Sequence, residues 1–414
     1  MKKFLTILLS IAMIFTLVGC SGGQTDSGED AGDAADTHVI KVGVANIMTG
    51  ESLEAIKNYY NNEVAGTLNM EFMISEGLSN DASGLVDFID KAYAAGCEGI
   101  INMITGIEAV EQGAQKCQQY GMWFATNNSA VAANVSSLDH NLGHCGADPV
   151  GMEEAYKKAF SEICGDGENH SVFMYSCAAP GMTAASHYYS TVGVLEAMKE
   201  VYGLTYTNAV EDIVNNLDPG EVQHDKMDQV HIYLCPGMDF SNFGQYVTAC
   251  QTQLQTGNYD IFAACANWAN FTEAINGCEA SLGKEIKVVG TMNIEDQTAQ
   301  GLGDGTIAAA IINPLNVANG VLAAMIYNGV NGAAAQMKEN GEAQLLGVKP
   351  WACMSADDYA IISNLDKEVG KFVLGGNGLK ALTVSANPAV TYKDMNNTLS
   401  SLANIDKVVE FMAQ

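Results

Sequence analysis

Amide side chains recur where strand-like runs of this sequence come to an end. Asn46 follows Val39 to Ala45 (VIKVGVA), and Asn127 and Asn128 follow Met122 to Thr126 (MWFAT). Asn267 closes CAN after Tyr259 to Ala264, Asn293 follows the Val288-Val289-Gly290 run, and Asn313 stands just before Pro314. An amide offers both donors and an acceptor, which suits hydroxyl groups that also do both. Asp148, ahead of a helical stretch, can accept from two hydroxyls, and Trp268 can lie flat on the less polar face of a ring. Covering ~60 Å² of such a face contributes about 1.5 kcal/mol. The same residues also fill ordinary structural roles. Asn and Asp are common turn and N-cap residues, and Trp268 can pack inside its own domain. Trp123, inside a strand, reads as core.

Catalytic chemistry has no comparable foothold. The chain contains no HExxH, no GxSxG and no Walker loop. Gly301-Leu302-Gly303-Asp304-Gly305 lacks the spacing and strand context of a dinucleotide loop and reads as a turn. The seven histidines are not clustered with cysteines or carboxylates at metal-ligand spacing. A non-enzymatic binding protein without metal or cofactor is expected.

The elements that would position these side chains alternate strand and helix. After the first strand, Glu51 to Val64 is helical and Met70 to Ser75 is a second strand. Asp81 offers an N-cap to a helix with Leu85, Ile89 and Ala92 on one face, stopped by Gly96. Glu98 to Ile104 is a β-branched run, followed by a helix from Ile107 to Tyr120 that Gly121 ends. Glu153 to Ile163 is helical, and Ser171 to Ser176 restarts the pattern with a long helix from about Met182 to Val201. Val230 to Leu234, Tyr259 to Ala264 and Ile286 to Gly290 are three further strands. Such alternation gives right-handed βαβ units and a mainly parallel sheet covered on both faces. Two doubly wound α/β halves are expected, with residues 203–229 as an acidic, irregular insertion.

The N-terminus points outside the cytoplasm. Lys2 and Lys3 precede a nearly unbroken apolar run from Phe4 to Val18. That run is shorter than the roughly 20 residues of a membrane span and fits a signal peptide. Leu17-Val18-Gly19-Cys20 resembles the bacterial lipobox, which implies acylation of Cys20 and cleavage before it. Residues 21–37 (SGGQTDSGEDAGDAADT) lack core formers and read as a flexible tether carrying solvated charge at Asp30, Asp33 and Asp36. The expected location is the extracytoplasmic face of the cell membrane, held by lipid alone. The formal net charge is −29, and all 19 basic residues are lysine. So negative a surface repels phosphate backbones, which excludes nucleic acid as a partner. The eleven cysteines show no CxxC spacing; after Cys20 the rest read as buried small hydrophobes, with one or two disulfides left open.

Residues from about 38 to 340 resemble the type I periplasmic-binding-protein fold, the ribose-type sugar-binding group in particular. Gly99 to Ser129 matches that group's third and fourth strands, and Ala147-Asp148-Pro149-Val150-Gly151 its polar pair before a helix. Ala264 to Gly320, with CANW, KVVGTMN and GTIAAAIINP, matches its last strands and return crossing. The resemblance implies a first lobe of 38–165 plus 314–340 and a second lobe of 166–313. Residues 341–414 are then a C-terminal extension packed on the lobes. It also implies capture of a small neutral, sugar-like ligand and delivery to an ABC-transporter permease, by a monomer. It adds Phe240 and Tyr188 as candidate contacts to the strand-end set. Two departures matter: Met292 stands where the group usually has a sugar-binding Asp, and His187 to Ser190 where it usually has an Arg. Those losses favour a less polar ligand, such as a deoxy sugar or a nucleoside. A nucleoside-binding or autoinducer-type sensory lipoprotein of the same fold is the competing function.

Overall fold

The computed structural model describes residues 38–414 except 105, 129–131, 177–184, 217, 238–242, 266–267, 293, 366–369 and 414. Fourteen strands lie among them, in chain order: β1 (Ile40–Ala45), β2 (Met70–Ile74), β3 (Gly99–Asn102), β4 (Trp123–Thr126), β5 (Asn141–Ala147), β6 (Val172–Tyr175) and β7 (Gly220–Glu221). Then come β8 (Ile232–Cys235), β9 (Ile261–Ala264), β10 (Lys287–Met292), β11 (Ile307–Ile312), β12 (Lys338–Glu339), β13 (Glu342–Val348) and β14 (Trp351–Cys353). They form two seven-stranded sheets, ordered β12-β13-β5-β4-β3-β1-β2 and β14-β11-β10-β9-β6-β8-β7. Every pairing in the sheet interiors is parallel; only β12, β14 and β7 at the edges run antiparallel. Central strands such as IKVGVA and IAAAII are buried on both faces, as a parallel sheet sandwiched by helices requires. In each sheet the winding direction reverses beside the first strand, between β1 and β3 and between β6 and β9. Such switch points open a crevice at the carboxyl ends of the strands.

Local signals explain most helix boundaries. Asp81 accepts from Gly84 N at 2.8 Å and starts the helix Ala82–Ala94, whose Leu85, Ile89 and Ala92 are buried. Gly121, at φ +69°, ends the helix Ile107–Tyr120. The first helix runs longer than its pattern: Gly50–Asn58 passes into a π-helical turn, Tyr59–Val64, and on to Ala65–Leu68. The turn buries Tyr59, Tyr60, Glu63 and Val64. Within 203–229 there is a short helix, Val210–Asn215, and β7, which adds to the sheet edge at β8.

The passages between sheets differ from the expected boundaries. The chain leaves the first sheet at Asp148-Pro149, not near 165, because Pro149 opens the helix Pro149–Ile163 there. That helix packs on Ala185–Tyr202 of the second half, and its Tyr156 hydroxyl donates to Ala264 O of β9 at 2.8 Å. The chain returns at Asn313-Pro314, and the helix Leu315–Val330 packs under β3, β4 and β5. The returning segment continues past 340 through β13, and a third passage at Lys349-Pro350 delivers β14 to the second sheet. Asp148 N donates to Val348 O at 2.8 Å, so the first and third passages lie side by side.

The C-terminal residues touch both halves. Helix Ala356–Leu365 packs on Asp296–Asp304, while Tyr392–Ser400 packs on β13. Nearer the first helix, Tyr59 OH donates to Leu374 O at 2.6 Å. The Glu63 carboxylate accepts from Gly370 N and Gly376 N, each at 2.8 Å. All nine cysteines among the described residues are buried, Cys97, Cys164 and Cys235 among them. Burial pushes their thiols up, to about 11 at Cys97, Cys164 and Cys235, so they behave as small hydrophobes. No helix among the described residues is long and apolar enough to cross a membrane.

Candidate functional site

The carboxyl ends of the two sheets meet across a cleft. Ser52, at the start of the first helix beyond β1, donates from Oγ to Glu295 Oε1 beyond β10 at 2.7 Å. Glu295 is also the N-cap of the helix Asp296–Asp304 without bonding it through its side chain. Its carbonyl accepts from Tyr359 OH at 2.7 Å. Beside this bridge lies a cavity of about 310 Å³. Glu51, Ser52, Glu54, Ala55, Ile56 and Asn58 form one wall. Ile294 comes from the second sheet, Asn313, Leu315 and Asn316 from the second passage, and Phe372 from the C-terminal segment.

The first wall is set by how β1 ends. Asn46 is fully buried: its Oδ1 accepts from Met48 N at 2.9 Å and its Nδ2 donates to Met48 O at 3.3 Å. Ser75 Oγ of the neighbouring strand end accepts from Asn46 N at 2.7 Å. The amide therefore closes an Asx turn that aims the next helix, instead of presenting its donors to the cleft. Asn102, which sequence reasoning passed over, repeats the device at β3. It accepts from Ile104 N at 2.9 Å and donates to Thr126 Oγ1 at 3.1 Å. Sequence reasoning missed it because the β-branched run continues to Ile104, whereas β3 ends at Asn102.

The remaining expected contacts are dispersed. Asn127 is half-buried after β4, and its carbonyl crowds Gly146 so closely that a Cβ there would lie 2.3 Å away. Asn128 is buried, with its N–H on Thr126 Oγ1 at 3.3 Å. Asp148 caps the helix Pro149–Ile163 by accepting from Val150 N at 3.2 Å. It lines a different cavity with Lys349, Asn396 and Lys407. Tyr188 is half-buried and edge-on to Tyr189 at 5.3 Å; burial pushes its phenol up. Trp268 is only 6 % exposed and belongs to the packed core of the second half. A platform for a ring was expected, but the 3₁₀ turn Trp268–Phe271 folds the indole inward. Asn313 alone among the described candidates lines the cavity between the sheets. Its N–H donates to Met292 O at 3.4 Å, and its carbonyl accepts from Leu315 N at 2.8 Å. Phe240, Asn267, Asn293 and Cys20 lie outside the described residues.

Chemically the cavity offers amides, a hydroxyl, rim carboxylates and hydrocarbon. No lysine is among its lining residues. Lys57, on the same helix, is drawn to Glu76 at 2.8 Å and Glu54 at 3.0 Å. The bond to Lys57 holds the Glu76 carboxyl below its usual range. Among the described residues no three His, Cys, Asp or Glu side chains converge as metal ligands.

No protein-family model matches the sequence, and no curated protein does. Solved structures do match in fold. A periplasmic sugar-binding protein from Pseudomonas fluorescens superposes with a TM-score of 0.60 at 13% identity, covering 90% of this chain and 100% of that one. A galactofuranose-binding protein gives 0.56 at 13% identity over 86% of this chain and 99% of that one. An ABC-transporter solute-binding protein from Actinobacillus succinogenes, solved with D-allose, gives 0.53 at 13% identity over 78% and 99%. Two doubly wound sheets, three passages between them and a cavity at their facing carboxyl ends make this chain a type I periplasmic-binding-protein fold.

Proposed function

We propose that this protein captures a small neutral, hydroxyl-bearing solute between its lobes and delivers it to an ABC-transporter permease, tethered to the membrane by lipid on Cys20. The observation that carries this reading is the cavity between the first helix, the loop after β10 and the second passage, with Asn58, Asn313 and Asn316 amides and no cation in its lining. Carboxylate or phosphate recognition in a buried cleft favours arginine, whose planar fork makes two charge-assisted hydrogen bonds. This chain has none, and its charge of −29 opposes an approaching anion. The galactofuranose-binding protein and the protein solved with D-allose support the same ligand class.

Closure follows from geometry. A ligand touching Asn58 on one side and Ile294 on the other makes both contacts only when the lobes approach, and that differential affinity shifts the hinge. A thermal-shift screen of sugars, polyols, nucleosides, amino acids and sugar phosphates tests the reading. A ligand at 100 times its dissociation constant adds about 2.7 kcal/mol of stability. Calorimetry then fixes affinity, and small-angle scattering should show a more compact particle. Micromolar binding of an acid or phosphate, with sugars, polyols and nucleosides silent, overturns it.

A further inference from the structure

The cavity has two unlike surfaces, and they constrain what fits. Ile56, Ile294, Leu315 and Phe372 supply hydrocarbon, while Asn58, Asn313 and Asn316 bring amides and Ser52 a hydroxyl that donates to Glu295. Phe372 is held in place: it is 3 % exposed and meets Tyr59 edge-on with ring centroids 4.9 Å apart. Asn313 and Asn316 are placed by the second passage, the one as the residue before Pro314 and the other in the first turn of Leu315–Val330. The helix face that carries Asn316 continues one turn on to Asn319. Asn319 is fully buried, and neither of its amide atoms has a hydrogen-bond partner among the described residues. A free monosaccharide can lay its less polar face on one of those four hydrocarbon side chains, but rim hydroxyls directed at the others would stay unpaired, at a cost. A flat heteroaromatic ring has apolar faces and polar edges, and its edges match amide side chains bidentately.

We propose that this cavity is a subsite for a neutral nucleobase, so that the captured solute is a nucleoside whose sugar faces the strand ends. The inference rests on the neutral-solute reading above and deepens it by assigning the less polar half of the ligand. Phe372 enters as a specificity residue supplied by the C-terminal segment. The cavity volume of about 310 Å³ sits at the lower end of the range for small-molecule pockets, which suits one ring system and not a second sugar.

The test is calorimetric titration of the full-length protein in detergent with adenosine, inosine, uridine and cytidine, and with D-ribose, D-allose and myo-inositol. At least one nucleoside should bind tenfold or more tighter than D-ribose. Asn316→Leu, close in volume and suited to a buried site, should fold normally by thermal melt and lose most of that preference. Phe372→Leu should weaken the nucleoside several-fold more than any free sugar. Free sugars binding as tightly as nucleosides would overturn the subsite while leaving sugar capture intact. So would a nucleoside preference untouched by Asn316→Leu and Phe372→Leu. Silence from nucleosides, sugars and polyols alike would remove the neutral-solute reading and the subsite with it.

Discussion

Glu63 should be among the most destabilising single positions of the first lobe. It sits in the π-helical turn, 6 % exposed, and accepts from Gly370 N and Gly376 N at 2.8 Å each. Both glycines have positive φ, +77° and +45°, so the segment wraps the carboxylate in a conformation other residues adopt only under strain. Gly375 approaches so closely that a Cβ there would lie 2.5 Å from Glu63 Oε1. Glu63→Ala leaves two amide donors unpaired at about 1–3 kcal/mol each, so a loss of about 3–5 kcal/mol is expected. Glu63→Gln keeps the shape but turns one acceptor into a donor facing an N–H, and should lose about 2 kcal/mol. Urea denaturation measures both, and limited proteolysis should cut the Glu63→Ala protein first near 366–376. Ligand affinity should fall too, because Phe372 loses its support. A Glu63→Ala protein within about 0.5 kcal/mol of wild type, uncut in that segment, would refute the reasoning.

Other outcomes follow from named contacts. Ser52→Ala and Glu295→Gln each weaken a side-chain hydrogen bond between the first helix and the loop beyond β10; scattering should show a more open unliganded particle, with stability changed by less than about 1 kcal/mol. His144 is fully buried in β5, and burial holds its imidazole down at about 4 from 6.5, against a slight opposing pull from the nearby Asn128 backbone. Its neutral form is therefore the folded one, and stability is lost as pH falls below 6.5 toward 4. That amounts to about 2 kcal/mol between pH 7 and 5, a share absent from the pH dependence of a His144→Leu protein. Cys20→Ser should leave binding intact and move the protein from membrane to soluble fraction, read by radiolabelled palmitate and fractionation.

The lobes were legible because parallel strands buried on both faces leave near-continuous β-branched runs, and Asp81 and Gly121 mark helix ends by local chemistry alone. Asn313 was legible for the same reason: a strand end followed by proline. An amide at a strand end is ambiguous because one residue type serves two ends. Asn46 has the composition of a ligand contact, yet its amide is satisfied by Met48 at the next turn, a difference that depends on where the loop points. Trp268 shows the same limit, since a residue beside a strand end can turn inward or outward. Phe372 had no signal at all. It reaches the cavity only because Glu63 and Tyr59 hold a segment remote in sequence, and no periodicity encodes that pairing. The boundary at 165 failed because helix periodicity in 149–163 says nothing about which sheet the helix covers.

The hinge itself follows from proline placement. Three of the seven prolines, Pro149, Pro314 and Pro350, lie at the three passages, so the distribution is far from even. Proline pins its own φ and holds the preceding residue extended, here Asp148, Asn313 and Lys349. At the first two passages the chain thus goes from an extended residue directly into a helix, and rotation must be taken up by small ψ changes on either side. The first and third passages are tied by Asp148 N to Val348 O, which leaves the second, with Asn313, as the one bordering the cavity. On opening, displacement grows with distance from these passages. Asn313, Leu315 and Asn316 thus move least relative to the first wall, while Ile294 and Glu295 withdraw and Ser52 loses its partner. In the proposed opening, the half of the site built from the passage and the first helix would stay assembled. A ligand can dock there first, and Ile294 and the Ser52–Glu295 bond complete the enclosure when the second lobe arrives.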